Sequence, residues 1–260
     1  MATATVLLMR LRSATFGIAL MTLLAQCAPA GCDPAPAPSG AQCTPVGVPA
    51  DAQQVVLVHP FSTNFAYVDL VVKDGNGAWT CARMAMVGRI GRNGVRPLAE
   101  RRSGDGTTPS GTFGIGTMTA PHGDVFQFFG NGDNPRVNGA WHQVQPGDCW
   151  EETPGDPAYN TLVSRAAAQC VGPDDEYLPG SPTAYSRAVL IDANMGPDRS
   201  GDQPGEPALA AAIFLHRYSY VNGGNSGETK PTAGCVSLAG GDLDFVLTRL
   251  VPGQAYFVIG

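Results

Sequence analysis

His216 and Cys235 are the two residues of this sequence whose types can cooperate in chemistry. They sit in Ala211-Ala212-Ile213-Phe214-Leu215-His216 and in Pro231-Thr232-Ala233-Gly234-Cys235-Val236-Ser237-Leu238. An ordinary thiol is only a few per cent ionised at pH 7. A neighbouring imidazole takes its proton or, once protonated, stabilises the thiolate. Gly234 lets the backbone approach a substrate closely, and the amides around Gly234-Cys235 can hydrogen-bond a developing oxyanion. Singly the signals are weak: a lone histidine at a strand end is usually structural, and a cysteine after glycine is usually core material. Residues 217–230 between them, with Asn222-Gly223-Gly224-Asn225, show no apolar periodicity and read as a functional or mobile loop. Both flanking segments read as strand ends, so a long hairpin is expected to bring His216 and Cys235 together.

The N-terminus sets the redox context. Arg10 and Arg12 precede an apolar run over residues 14–25, too short to span a bilayer, and Ala28-Pro29-Ala30 offers a small-x-small cleavage pattern. Residues 1–30 are therefore expected to be a secretory leader, with Met9 an alternative start. Leu24-Ala25-Gln26-Cys27 resembles a lipoprotein signal, with Gln26 where a small residue is usual, so membrane attachment is considered only through an N-terminal lipid. Residues 31–44 read as a Pro/Ala-rich spacer, and residues 45–260 as one exported domain. With Cys27 and Cys32 in leader and spacer, Cys43, Cys81, Cys149, Cys170 and Cys235 remain. Two bridges among the first four, in any of three connectivities, would leave Cys235 alone; five buried free thiols are the alternative.

The elements that must position this pair read as strands and turns. Gly (33) and Pro (22) make up about a fifth of the 260 residues, against a usual share of roughly 12%. That disfavours a helical bundle. Strands are expected at 54–58, 66–73, 78–87, 188–191, 209–215 and 255–259, with a hairpin at Asp74-Gly75-Asn76-Gly77. One helix is expected, capped by Asp242, built on Leu243, Val246, Leu247 and Leu250, and stopped by Pro252-Gly253. A weaker helix is expected from Asp156-Pro157 to Ala168. The fold class is a mainly-β single domain with one or two peripheral helices.

Several chemistries lack their residues. The net charge is −6, and −8 without residues 1–30, which gives no support for nucleic-acid binding. Residues 106–111 have phosphate-loop spacing, but Thr112 stands where a lysine must reach the phosphates. His59, His122, His142 and His216 lie far apart in sequence and give a metal site only weak support. Arg83, Arg89, Arg92, Arg96, Arg101 and Arg102 read as a solvated surface, with contact to an anionic polymer as the alternative.

Ala212-Ile213-Phe214-Leu215-His216 followed by Pro231-Thr232-Ala233-Gly234-Cys235-Val236 resembles the signature of the bacterial L,D-transpeptidase catalytic domain. Gly104-Asp105-Gly106-Thr107-Thr108-Pro109-Ser110-Gly111-Thr112-Phe113 is similar to that family's Thr-Pro-x-Gly-x-Phe segment. Cys149-Trp150-Glu151-Glu152-Thr153-Pro154 with Tyr159-Asn160 resembles a segment of one branch. The resemblance covers roughly residues 50–260 and implies an L,D-transpeptidase-like β-sandwich. It also implies a cysteine acyltransferase acting on peptidoglycan stem peptides in the cell envelope, with Cys235 as nucleophile and His216 as general base. That no metal or organic cofactor is needed is a further implication of the resemblance. Thr232 and Gly234 match the motif around the nucleophile. Ala233, Ser237 and Arg217 depart from common family residues and bear on the acceptor. Trp141, Trp150 and Tyr218 could line the substrate cleft, although each reads more readily as packing because aromatics are generally core material, and Ser237 stands beside them as a candidate substrate contact. Hydrolysis at the same site and an inert wall-binding module are the alternatives.

Overall fold

A computed structural model describes residues 43–172, 174–196 and 208–260, so the leader and nearly all of the spacer lie outside the described residues. Three long strands open the domain: β1 (Gln54–Ser62), β2 (Phe65–Lys73) and β3 (Trp79–Arg89). Next come β4 (Val95–Pro97), β5 (Thr108–Gly114), β6 (Met118–Thr119), β7 (Val125–Phe126), β8 (Phe128–Gly130) and β9 (Trp141–Gln143). Then β10 (Asp148–Glu151), β11 (Thr161–Ser164) and β12 (Glu176–Tyr177) form a separate three-stranded sheet. The chain ends with β13 (Ala188–Leu190), β14 (Phe214–Arg217), β15 (Val236–Leu238), α1 (Gly240–Leu247) and β16 (Ala255–Ile259). Eleven strands make one sheet in the order β4-β5-β16-β1-β2-β3-β15-β14-β13-β8-β9. The expectation of a mainly-β domain holds.

Local chemistry explains the first meander. Asp74 Oδ1 accepts from the amides of Asn76 (2.8 Å) and Ala78 (2.9 Å), and Gly77 turns the chain at φ +80°. Farther along β2–β3 the register shifts near Val68 and Leu70. The bulged Ala85 amide donates to Asp69 Oδ1 at 2.6 Å, so the carboxylate replaces the lost ladder partner. Alternation then sends Val56, Val58, Ala66, Val68 and Leu70 into the main core. Val55, Leu57 and Val71 face the other way, under Cys43 and Cys81. Leu243, Val246 and Leu247 of α1 close the main core together with residues from both halves of the long sheet, such as Val56 and Leu215.

Four expectations need correction. Residues 156–168 do not form an α-helix: Asp156 Oδ1 takes the Ala158 amide, Asn160 adopts a left-handed φ of +55°, Thr161 enters β11, and only a short 3₁₀ turn at Ala167–Gln169 follows. Of residues 209–215, only Phe214 and Leu215 lie in a strand, because Ala212 kinks the backbone at φ +49°. α1 starts two residues before Asp242, after Ala239, and Asp242 acts from the first turn while pairing with Arg83 at 2.9 Å. The six arginines are not one solvated face: Arg89 and Arg101 are buried, and Arg89 lies over the Phe65 ring.

Candidate active site

β14 and β15 carry the two residues, but not as a hairpin. They pair in parallel, Leu215 with Val236 and His216 with Ser237. The intervening chain makes an excursion pinned by bonds from Val221 N to Glu228 O (2.8 Å) and Lys230 N to Ser219 O (2.8 Å). It then returns past β3, where the Thr232 amide donates to Ile90 O, so β15 restarts beside the beginning of β14. Cys235 just precedes β15 and His216 lies within β14, and both line one cavity of about 200 Å³.

The turn before Cys235 is held by its own residues. Thr232 Oγ1 donates to the Cys235 carbonyl at 2.6 Å, and the Gly234 amide donates to Thr232 Oγ1 at 3.3 Å. A Cβ on Gly234 would sit 3.1 Å from the Thr107 carbonyl, tighter than ordinary van der Waals contact, so a larger residue here would push on the neighbouring backbone. Thr108 Oγ1 also donates to the Cys235 carbonyl, at 3.3 Å, tying the Thr-Pro segment to the same turn.

Both reacting groups are kept neutral at rest. Burial pushes the Cys235 thiol well above its ordinary value, reinforced by the carboxylates of Glu176 and Glu152 and opposed by the Phe214 amide and Arg101. The thiol donates to Ala212 O at 3.1 Å and accepts from Phe214 N at 3.3 Å. Burial lowers the His216 imidazole to about 4, with the bond to the Arg217 carbonyl opposing the shift. That carbonyl can only accept, so Nδ1, 2.6 Å away, carries the proton and Nε2 is left as the basic nitrogen. Tyr185 packs edge-on against the imidazole, ring centres 5.5 Å apart.

The residues expected at this site divide into two groups. Cys235, His216, Thr232, Gly234 and Ser237 line the cavity. Trp150, Trp141 and Tyr218 do not. Trp150 is fully buried and Tyr218 turns its hydroxyl to the Val87 carbonyl. Trp141 donates its indole N–H to Gln143 Oε1 at 3.4 Å. Trp150 has a different connection: its indole donates to Asn160 Oδ1 at 3.0 Å, and the same oxygen accepts the Ala212 amide at 3.1 Å. Asn160 Nδ2 donates in turn to Asn194 O at 2.6 Å. Asn160 thus holds Ala212 in its left-handed conformation, and Ala212 O receives the thiol.

The cavity also includes residues the sequence did not single out. Arg101 is 2% exposed and donates to Leu209 O at 2.7 Å, with Asp105 3.6 Å away. Glu152, just past β10, and Glu176 of β12 add two carboxyl groups to the lining. Glu152 stands within the Cys149-Trp150-Glu151-Glu152 segment that carries the resemblance, and Arg101 within the arginine-rich stretch read as a solvated surface; Tyr185 carried no sequence signal of its own.

The YkuD family model, described as the L,D-transpeptidase catalytic domain, matches residues 55–258. The chain belongs to the L,D-transpeptidase catalytic domain family. This L,D-transpeptidase-family chain matches no curated protein and no solved structure at a significant level. The family acts on peptidoglycan stem peptides and is typically found at the cell envelope. Two disulfides, Cys43–Cys81 and Cys149–Cys170, leave Cys235 the free cysteine among the described residues.

Proposed function

We propose that the chain is an exported cysteine acyltransferase that forms 3→3 crosslinks between peptidoglycan stems. The observation that carries this reading is the convergence of the neutral Cys235 thiol, the basic His216 Nε2 and the fixed turn 232–235 on one cavity. On substrate binding the thiol leaves Ala212 O and gives its proton to His216 Nε2. Sulfur attacks the carbonyl carbon of the third residue of a tetrapeptide stem, and backbone amides at Gly234-Cys235 hydrogen-bond the oxyanion. The C–N bond to the terminal D-Ala breaks, and His216 returns the proton to the leaving amine. An amine of a second stem then attacks the thioester, its proton passes to His216, and the C–S bond breaks to restore the thiol.

The two disulfides and the sequence leader support export, with lipid attachment reserved for Cys27 or Cys32. Incubating the protein with a tetrapeptide donor and an amine-bearing acceptor peptide tests the reaction by mass. A crosslinked product lacking D-Ala, absent with Cys235→Ala, is the expected result. Tripeptide alone would replace crosslinking by carboxypeptidase activity.

A further inference from the structure

Glu152 ends its chain connections in the cavity without a partner. It is 7% exposed, and among the described residues its carboxyl group receives no hydrogen bond and forms no ion pair, feeling Arg101 only through a longer-range electrostatic effect. Only its backbone is engaged, the amide donating to Asp175 Oδ1 at 2.9 Å. Its neighbours differ. Glu151 accepts from Arg165 and from the Thr153 amide, Glu176 accepts the Tyr185 hydroxyl, and Asp175 accepts the Gly172 and Glu152 amides. Arg101, the cation nearest in electrostatic effect, is already engaged by Leu209 O and Asp105. Ser237 Oγ, fully buried on the same cavity, is likewise unpartnered.

A buried carboxylate without a partner is costly, and a ligand that supplies the partner removes that cost. A metal ion is a poor occupant, since it requires several free oxygen donors and Glu176 and Asp175 are engaged. A single ammonium needs only one carboxylate with neutral acceptors nearby.

We propose that Glu152 is the receptor for a primary ammonium of the stem peptide, holding that group beside the reacting thiol. The inference rests on the transpeptidase reading given above and names a determinant of which stems the site takes. Burial and the carboxylates of Glu176, Asp174 and Asp175 push the Glu152 carboxyl well upward, so it ionises when the cation arrives.

The ammonium can belong to the donor or to the acceptor, and two kinetic arms separate them. In the first, D-Ala release is followed from donor tetrapeptides whose side-chain amine is free or acetylated. In the second, the acetylated donor forms the thioester and the KM for a free-amine acceptor is measured. Each arm compares the wild type with Glu152→Gln and with Glu152→Asp, which restores the charge. The expected result is a KM increase of about tenfold or more for Glu152→Gln in one arm, with kcat little changed and partial recovery in Glu152→Asp. In the donor arm, acetylation should abolish the difference. Unchanged KM in both arms overturns the ammonium site. Carbapenem labelling of Cys235 in the same preparations keeps the two readings apart. A labelled enzyme with unchanged KM sinks only this inference, and absence of label sinks the transpeptidase reading.

Discussion

A thiol pushed up and an imidazole pulled down by the same burial make Cys235–His216 a neutral pair at rest, unlike a preformed thiolate–imidazolium pair. The consequence is a pH profile. Acylation should lose rate only as pH falls through about 4, where His216 becomes protonated and can no longer take the thiol proton. A kcat/KM acid limb near the ordinary imidazole value would contradict this. His216→Gln should keep the fold and lower acylation by roughly 10²–10⁴-fold, measured by single-turnover mass spectrometry. At this scale the sequence was legible where chemistry is local: Cys235, Gly234 and Thr232 form one short motif whose hydrogen bonds close within it. His216 was found by type and strand context. Trp150, Trp141 and Tyr218 follow the packing reading and not the cleft reading, since an aromatic type does not reveal on which side of a sheet its ring lies, and Glu152 was passed over because carboxylates usually face water.

Elements place these groups through backbone kinks that pattern reading cannot see. Asn160 Oδ1 is shared by the Trp150 indole and the Ala212 amide, so Asn160→Ala orphans two buried donors at once. Destabilisation of about 2–4 kcal/mol is expected by urea unfolding, with slower carbapenem acylation because Ala212 O no longer receives the thiol in place. A folded Asn160→Ala variant acylating at the wild-type rate would separate the two effects and refute the positioning role. His142, on β9, is clamped between Asp124 and Asp148, each 2.8 Å away. Burial opposes its charge, but the two carboxylates outweigh that and raise it. A raised folded value contributes stability fully below the unfolded imidazole value, about 6.5, and loses it as pH rises through the folded value. The Tm deficit of His142→Gln should therefore shrink from pH 5 towards pH 8; a constant deficit would count against the clamp. The period-2 alternation of β1 and β2 and the Asp74–Gly77 turn chemistry were readable from the sequence, whereas the parallel β14–β15 pairing was not, because nothing in residues 217–230 distinguishes a hairpin loop from an excursion.

For the whole described domain, two crosslinks fasten the periphery to the sheet. Cys43–Cys81 ties the entering chain across the outer face, and Cys149–Cys170 closes the small sheet that supplies Glu152 and Glu176. Their separations of 38 and 21 residues correspond to about 3–4 kcal/mol each in loop-closure terms. Reduction should lower Tm by on the order of 10 °C. Alkylation of the denatured, unreduced protein should label the Cys235 peptide and spare the four bridged ones, as peptide mapping would show. The family model matches residues 55–258, a span that runs from within β1 to within β16 of the long sheet. The central claim is that Cys235 is the nucleophile of this cavity, and intact-protein mass after exposure to a carbapenem tests it most directly. One covalent adduct is expected on the wild type, mapped to Cys235 and absent from Cys235→Ala; a folded wild type that stays unmodified would rule Cys235 out as the nucleophile.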